Sequence, residues 1–194
     1  MSYFDFQRCD IDVGGSSQAA VLLARRGQIS VTDPNYAVLP LIYHLAFHSL
    51  GSRLFAIRER TGLFYGATGK LAHNASLTQP GMDLVATKVD PANCDKAIHE
   101  IQQMLHTLAT NPQVSQQELD AAKMWHEHKL INILNSPSEF TDMIIQLKTL
   151  YPHQDYHTIL TDKITKIHNT DLQQINSLCK TLFKVPYDTV IVAH

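Results

Sequence analysis

Two side chains with strong hydrogen-bond donors stand seven positions apart in this sequence, Arg58 and Tyr65, with Gly62 between them. A helix that ends at a left-handed glycine and turns at once into a strand can bring such a pair to one end of a sheet. A guanidinium and a phenol meeting there could donate to a carbonyl oxygen, or to the oxyanion that forms when water attacks it. On residue type alone a blander account serves as well: a surface charge of the Arg58–Glu59 kind beside a half-buried tyrosine.

A metal centre is the other chemistry to look for, because the sequence holds 11 histidines. Catalytic zinc requires three protein ligands and an open position. Neither H-E-x-x-H nor its inverse H-x-x-E-H is present; the nearest approach is Met124-Trp125-His126-Glu127-His128, with methionine in place of the first histidine. His126 and His128, two apart, point to different helix faces. His44 and His48, four apart, share a face and form the best remaining pair, but without an acidic neighbour they read as partly buried, hydrogen-bonded histidines. His99, His106 and the stretch His153 to His157 read as solvated surface. No metal or other cofactor is expected in this chain. Cys9, Cys94 and Cys179 form no C-x-x-C pair and read as reduced structural cysteines. No nucleophile elbow or phosphate-binding loop is present, and Met82, Met104, Met124 and Met143 occupy core-like positions.

Bulk properties bound the answer. At 194 residues one domain over 1–194 is expected, with 44% hydrophobic and 18% charged residues, an ordinary globular composition. A net charge of −2 offers no footprint for nucleic acid or an anionic membrane. No apolar run approaches a transmembrane helix, and Met1 to Phe6 lacks the pattern of a signal peptide, so the chain reads as soluble.

The elements that must position the chemistry are written in the punctuation. Gln18 to Ala24 reads as a buried strand after the turn Gly14-Gly15-Ser16-Ser17. Asp33-Pro34-Asn35 opens a helix over Tyr36 to His48, Gly51-Ser52 breaks it, and Ser52 caps a short second helix through Arg60 that ends at Gly62. Leu63 to His73 and Asp83 to Val89 read as a hairpin. Asp90-Pro91 begins a helix to about Ala109. Capping boxes at Ser115–Glu118, Ser136–Glu139 and Thr170–Gln173 start three more, with a shorter helix over Tyr156 to Ile164 and a closing strand over Asp188 to Val192. Strands and helices in segregated blocks indicate an α+β fold, a largely antiparallel sheet with helices packed on one face.

Four of these segments carry a resemblance. Ser52-Arg53-Leu54-Phe55-Ala56-Ile57-Arg58-Glu59-Arg60-Thr61-Gly62-Leu63-Phe64-Tyr65 is similar to the S-R-L-F-x-x-I/L-R-E-x-x-G-L-x-Y signature of the second domain of pitrilysin/insulinase-type metallopeptidases. Asp33-Pro34-Asn35-Tyr36 resembles the D-P-D-Y upstream of it. Val114 to Lys123 resembles V-T-x-E-E-L-x-x-A-K, and Ile164 to Leu172 the I-x-x-V-T-x-x-D-V element.

The resemblance implies a half-molecule: a zinc-free domain that faces a homologous zinc-bearing domain or subunit around an extended peptide, as in processing peptidases. It implies that Arg58 and Tyr65 donate to the peptide carbonyl or oxyanion, with Gly51, Ser52, Arg53 and Gly62 as the supporting loop and zinc in the partner. Proteolysis by this chain alone is not expected, and self-association of the isolated half is. Where the family carries a glycine-rich run, Phe47-His48-Ser49-Leu50-Gly51 keeps a single glycine, so a bulkier loop is expected. The alternative is a non-catalytic scaffold subunit of the same fold, like the core proteins of the respiratory bc1 complex; retention of both Arg58 and Tyr65 favours the peptidase.

Overall fold

Along Ala-Ala-Val-Leu-Leu-Ala-Arg-Arg, residues 19–26, every second side chain turns inward, and this strand is the middle of the sheet. The computed structural model describes residues 5–48 and 51–193. The strands are β1 (Gln7–Ile11), β2 (Ala19–Arg26), β3 (Phe64–His73), β4 (Met82–Val89) and β5 (Thr189–Ala193), in spatial order β1-β5-β2-β4-β3. Only β1 and β5 run parallel, so the largely antiparallel α+β arrangement expected from the sequence is the one formed.

The helices are α1 (Leu39–Phe47), α2 (Arg53–Thr61), α3 (Cys94–Thr110), α4 (Gln116–Asn135), α5 (Pro137–Leu150), α6 (Tyr156–Asn169) and α7 (Leu172–Phe183). They cover one face of the sheet. The core lies between Val21, Leu23, Val85 and Val190 of the strands and Leu41, Ile42, Ile101, Leu105, Ile175 and Leu182 of the helices. The other face carries a row Cys9, Ile191, Leu22, Ala86, Thr68 across all five strands. Among the described residues no helix is long and apolar enough to cross a membrane.

Several boundaries differ from the sequence expectation for identifiable reasons. β1 was not foreseen: its five residues are all exposed, and it exists because β5 supplies hydrogen bonds and Arg8 holds Asp10 and Asp95. The helix expected from Tyr36 opens with a single 3-10 turn at Tyr36–Val38. The capping box of α7 sits one residue later than expected. Asp171 accepts from Gln174 N at 2.8 Å and Gln174 returns the contact at 3.1 Å, because the Thr170 hydroxyl donates to Lys166 O and closes α6 instead. For the same reason α6 runs on to Asn169. Ser136 caps α5 without the reciprocal bond that Ser115 and Glu118 make. Met82 and Met124 are exposed rather than in the core.

One buried ion pair ties the layers together. Arg25 and Asp83 are cross-strand neighbours on β2 and β4, each side chain 1% exposed. Arg25 Nη2 donates to Asp83 Oδ2 at 2.7 Å and to Leu182 O at 2.8 Å, and Nη1 donates to Val185 O. The arginine therefore satisfies carbonyls at the end of α7 that no helical N–H can reach. Asp83 Oδ1 accepts from Ala72 N at 2.8 Å, pinning the irregular turn of β3 where Ala72 has φ +49°. The guanidinium lies 4.6 Å from the Tyr187 ring centroid. Asp83→Asn leaves this cation buried without its counter-ion. A loss of about 3–5 kcal/mol of unfolding free energy is expected, against less than about 1 kcal/mol for Asp95→Asn at the exposed Arg8 pair; urea titration of the two variants measures both.

Candidate functional site

The donor pair is placed by the two ends of α2. Ser52 starts the helix, its Oγ accepting from Phe55 N at 3.2 Å, and Gly62 stops it with φ +62° and an N–H donated to Arg58 O at 2.9 Å. Leu54, Ile57 and Phe64 are buried, which turns Phe55, Arg58 and Tyr65 the other way. There the Arg58 guanidinium carbon lies 4.8 Å from the Phe55 ring centroid and 5.1 Å from that of Tyr65. Stacked between the rings, the planar guanidinium keeps its N–H fork at the edge of the stack. Among the described residues Arg58 forms no ion pair, Glu59 included. Tyr65 is 88% exposed, so the half-buried tyrosine of the bland account is not what forms.

Both side chains border a cavity of about 340 Å³ whose wall includes Tyr43, Phe47, His48 and Thr68. Its depth depends on Gly69. A Cβ there would lie 2.3 Å from the Phe47 ring, so only glycine lets α1 come this close to β3. Of the expected supporting loop, Gly51 has φ +89° and Ser52 is buried as the cap. Arg53 turns away from the cavity, holding Glu118 Oε1 at 2.8 Å and reaching Pro112 O at 3.4 Å. It locks α2 to the start of α4 and so positions the site without entering it. The expected bulkier loop turns on Ser49 and Leu50, which lie outside the described residues. Phe55 was not singled out in the sequence, although its spacing of three from Arg58 puts both on one helix face.

A family profile described as the peptidase M16 inactive domain matches residues 7–124, more than half of the chain. The chain belongs to the peptidase M16 family. It corresponds to the family's inactive domain. No curated protein matches it. Among solved structures, the M16 inactive domain from Pseudomonas fluorescens is 22% identical with a TM-score of 0.74, over 97% of this chain and 43% of that one. A protease from Helicobacter pylori is 18% identical with a TM-score of 0.80, over 99% and 45%. The inactive peptidase domain of a putative zinc protease from Bordetella parapertussis is 17% identical with a TM-score of 0.69, over 87% and 88%. At these identities the likeness speaks to the fold, and the chain spans less than half the length of the first two relatives.

Two histidines of this M16 domain pack against one indole. Among the described residues no three His, Cys, Asp or Glu side chains are grouped as ligands. His44 and His48 lie 5.1 Å apart, centroid to centroid, each against the indole of Trp125 at 5.1 and 4.6 Å. Burial lowers the pKa of both, helped by His48 at His44 and by Lys129 at His48. His106 is half-buried, not solvated surface as the sequence implied. His126 is the surprise: it is 5% exposed, and neither ring nitrogen has a hydrogen-bond partner, while His128 faces solvent. Burial, then the charges of Lys163 and Lys129, push its pKa down to about 4.

This imidazole makes folding depend on pH. The folded value of about 4 lies below the ordinary 6.5, so the unfolded chain takes up the proton first as the solution is acidified. The stability from neutral His126 is complete above pH 6.5, declines through the interval down to pH 4, and is gone below it. His126→Leu should remove that slope: between pH 7 and pH 4 the parent should lose on the order of 2 kcal/mol more than the variant, read as unfolding midpoints in urea across the pH series.

Proposed function

We propose that this chain, residues 1–194, is a single substrate-binding domain, the zinc-free half of a zinc-dependent endopeptidase of the M16 family. A homologous domain or subunit would carry the metal and the general base. The observation that supports the reading best is the Arg58 guanidinium, held between Phe55 and an exposed Tyr65 at the mouth of a cavity, with no acidic partner among the described residues. Donors left unpaired at a cavity mouth suit a peptide carbonyl, and suit better the charge that develops on its oxygen as water adds. The cavity lies along β3, which pairs on one side with β4 and ends the sheet on the other, so an extended peptide has room beside it.

The partner would come against surfaces this domain leaves apolar. Ile131 and Leu134 of α4 and Ile145 of α5 are 53%, 58% and 58% exposed, and Leu22, Ala86 and Ile191 form a flat patch on the open sheet face. Without the partner such surface favours pairing of identical chains. Light scattering of the isolated chain should show a mass that rises with concentration; a strict monomer throughout would count against it.

Tyr65→Phe is the direct test of the donor role, because it deletes the hydroxyl and keeps the ring. In the peptidase assembled with its zinc-bearing half, kcat is expected to fall roughly a hundred- to a thousandfold, about 3–4 kcal/mol of transition-state stabilisation. The melting temperature should barely move, since an exposed side chain usually contributes less than about 1 kcal/mol. A normal kcat with a lowered melting temperature would make Tyr65 structural. An assembled complex that cleaves nothing with either residue would favour the scaffold alternative.

A further inference from the structure

A larger cavity, about 640 Å³, lies farther along the same edge, between β3, α1, α4, α5 and α6, and shares Tyr43 with the cavity at Arg58. Its volume falls in the range of small-ligand sites. Its walls combine apolar and aromatic surface, including Leu39, Tyr36 and Trp125, with two ammonium-bearing side chains, Lys129 from α4 and Lys163 from α6. None of the chain's 18 acidic residues lines it. Among the described residues neither lysine makes an ion pair, whereas Arg8, Arg25, Arg53 and Arg60 each hold a carboxylate. Lys129 Nζ stands 5.3 Å from the Trp125 ring centroid. Lys163 is half-buried, and its pKa is lowered by burial first and by Lys129 second.

An ammonium group drawn out of water toward a second cation, with no counter-ion, destabilises the empty domain. A fold that carries such a group at a cavity wall gains most from a ligand that brings the missing negative charge. We propose that this cavity is a subsite for the carboxylates of an acidic peptide segment, gripped by Lys129 and Lys163 with its aliphatic stems laid on Trp125 and Leu39. The inference rests on the peptide-binding reading above and adds a preference to it.

Trp125 is the only tryptophan, so its emission reports the cavity directly. The intact chain is titrated with blocked pentaglutamate, with blocked pentaglutamine, and with inorganic phosphate, all at one ionic strength. Calorimetry runs in parallel, because Lys129 itself touches the indole. Pentaglutamate should saturate the signal and bind roughly tenfold or more tighter than pentaglutamine. Lys129→Gln/Lys163→Gln should abolish that preference, while Lys88→Gln on β4 leaves it intact. The Lys163→Gln single variant should melt no lower than the parent, because it removes an unpaired buried charge. Equal affinity for the two peptides would overturn the anion subsite and leave peptide binding standing. Saturation by phosphate alone would overturn the acidic peptide as ligand, and no binding by any probe would overturn the subsite, with Tyr65→Phe turnover remaining the separate test of the peptidase reading.

Discussion

The Arg25–Asp83 pair is the constraint on which the rest of the architecture depends. Two charges in a nearly dry interior are tolerated only when their remaining donors and acceptors are filled, and here each contact belongs to a different element. Arg25 closes the end of α7 through Leu182 O and Val185 O, while Asp83 fixes the turn of β3 through Ala72 N. That turn orients the last residues of β3, which line the lysine cavity, while an earlier shift in the pairing, between Phe64 and Ala67, presents Tyr65. Sheet, helix layer and candidate site are thus referenced to one polar knot. An apolar pair of similar volume would fill the space but would leave two carbonyls and an amide unsatisfied.

A second constraint is the contact of Gly69 with Phe47, which sets how closely α1 approaches β3. Tyr43, one helical turn before Phe47, then stands between the two cavities and borders both. The apolar contact of one glycine with one phenylalanine therefore governs the spacing between a paired-donor site and a cationic one. Neither site contributes much to folding. Arg58, Tyr65 and Lys129 are all at least partly exposed, and the fold leaves their polar groups for something else to satisfy.

Most of the scaffold was legible in the sequence because its signals are local. Ser52, Ser115 and Gly62 act through neighbours three or four residues away, and their helices begin and end as the residue types dictate. That Arg58 and Tyr65 meet was legible for the same reason, since one helix end and one strand start place both side chains. The alternation Ala19, Val21, Leu23 extends to Arg25, and on parity alone Arg25 had to be inward. Ending the strand at Ala24 hid the ion pair. What sequence could not show is assembled from distant segments. Lys129 and Lys163 lie on two different helices, His126 is enclosed by helices whose packing no periodicity specifies, and Gln7 to Ile11 has no inward face to betray a strand.

The position of β5 has a consequence for how the molecule comes into being. It lies between β1 and β2, so residues 189–193 must insert between two strands from the start of the chain. Until they do, β1 has no neighbour and β2 presents an unpaired edge with Leu22 and Ala24 beside it. Contacts of such long sequence separation form late, because the loop they close must first be ordered. A folding intermediate that lacks β5 is a helix-clad partial sheet with one raw margin, and that margin is where misassembly would begin.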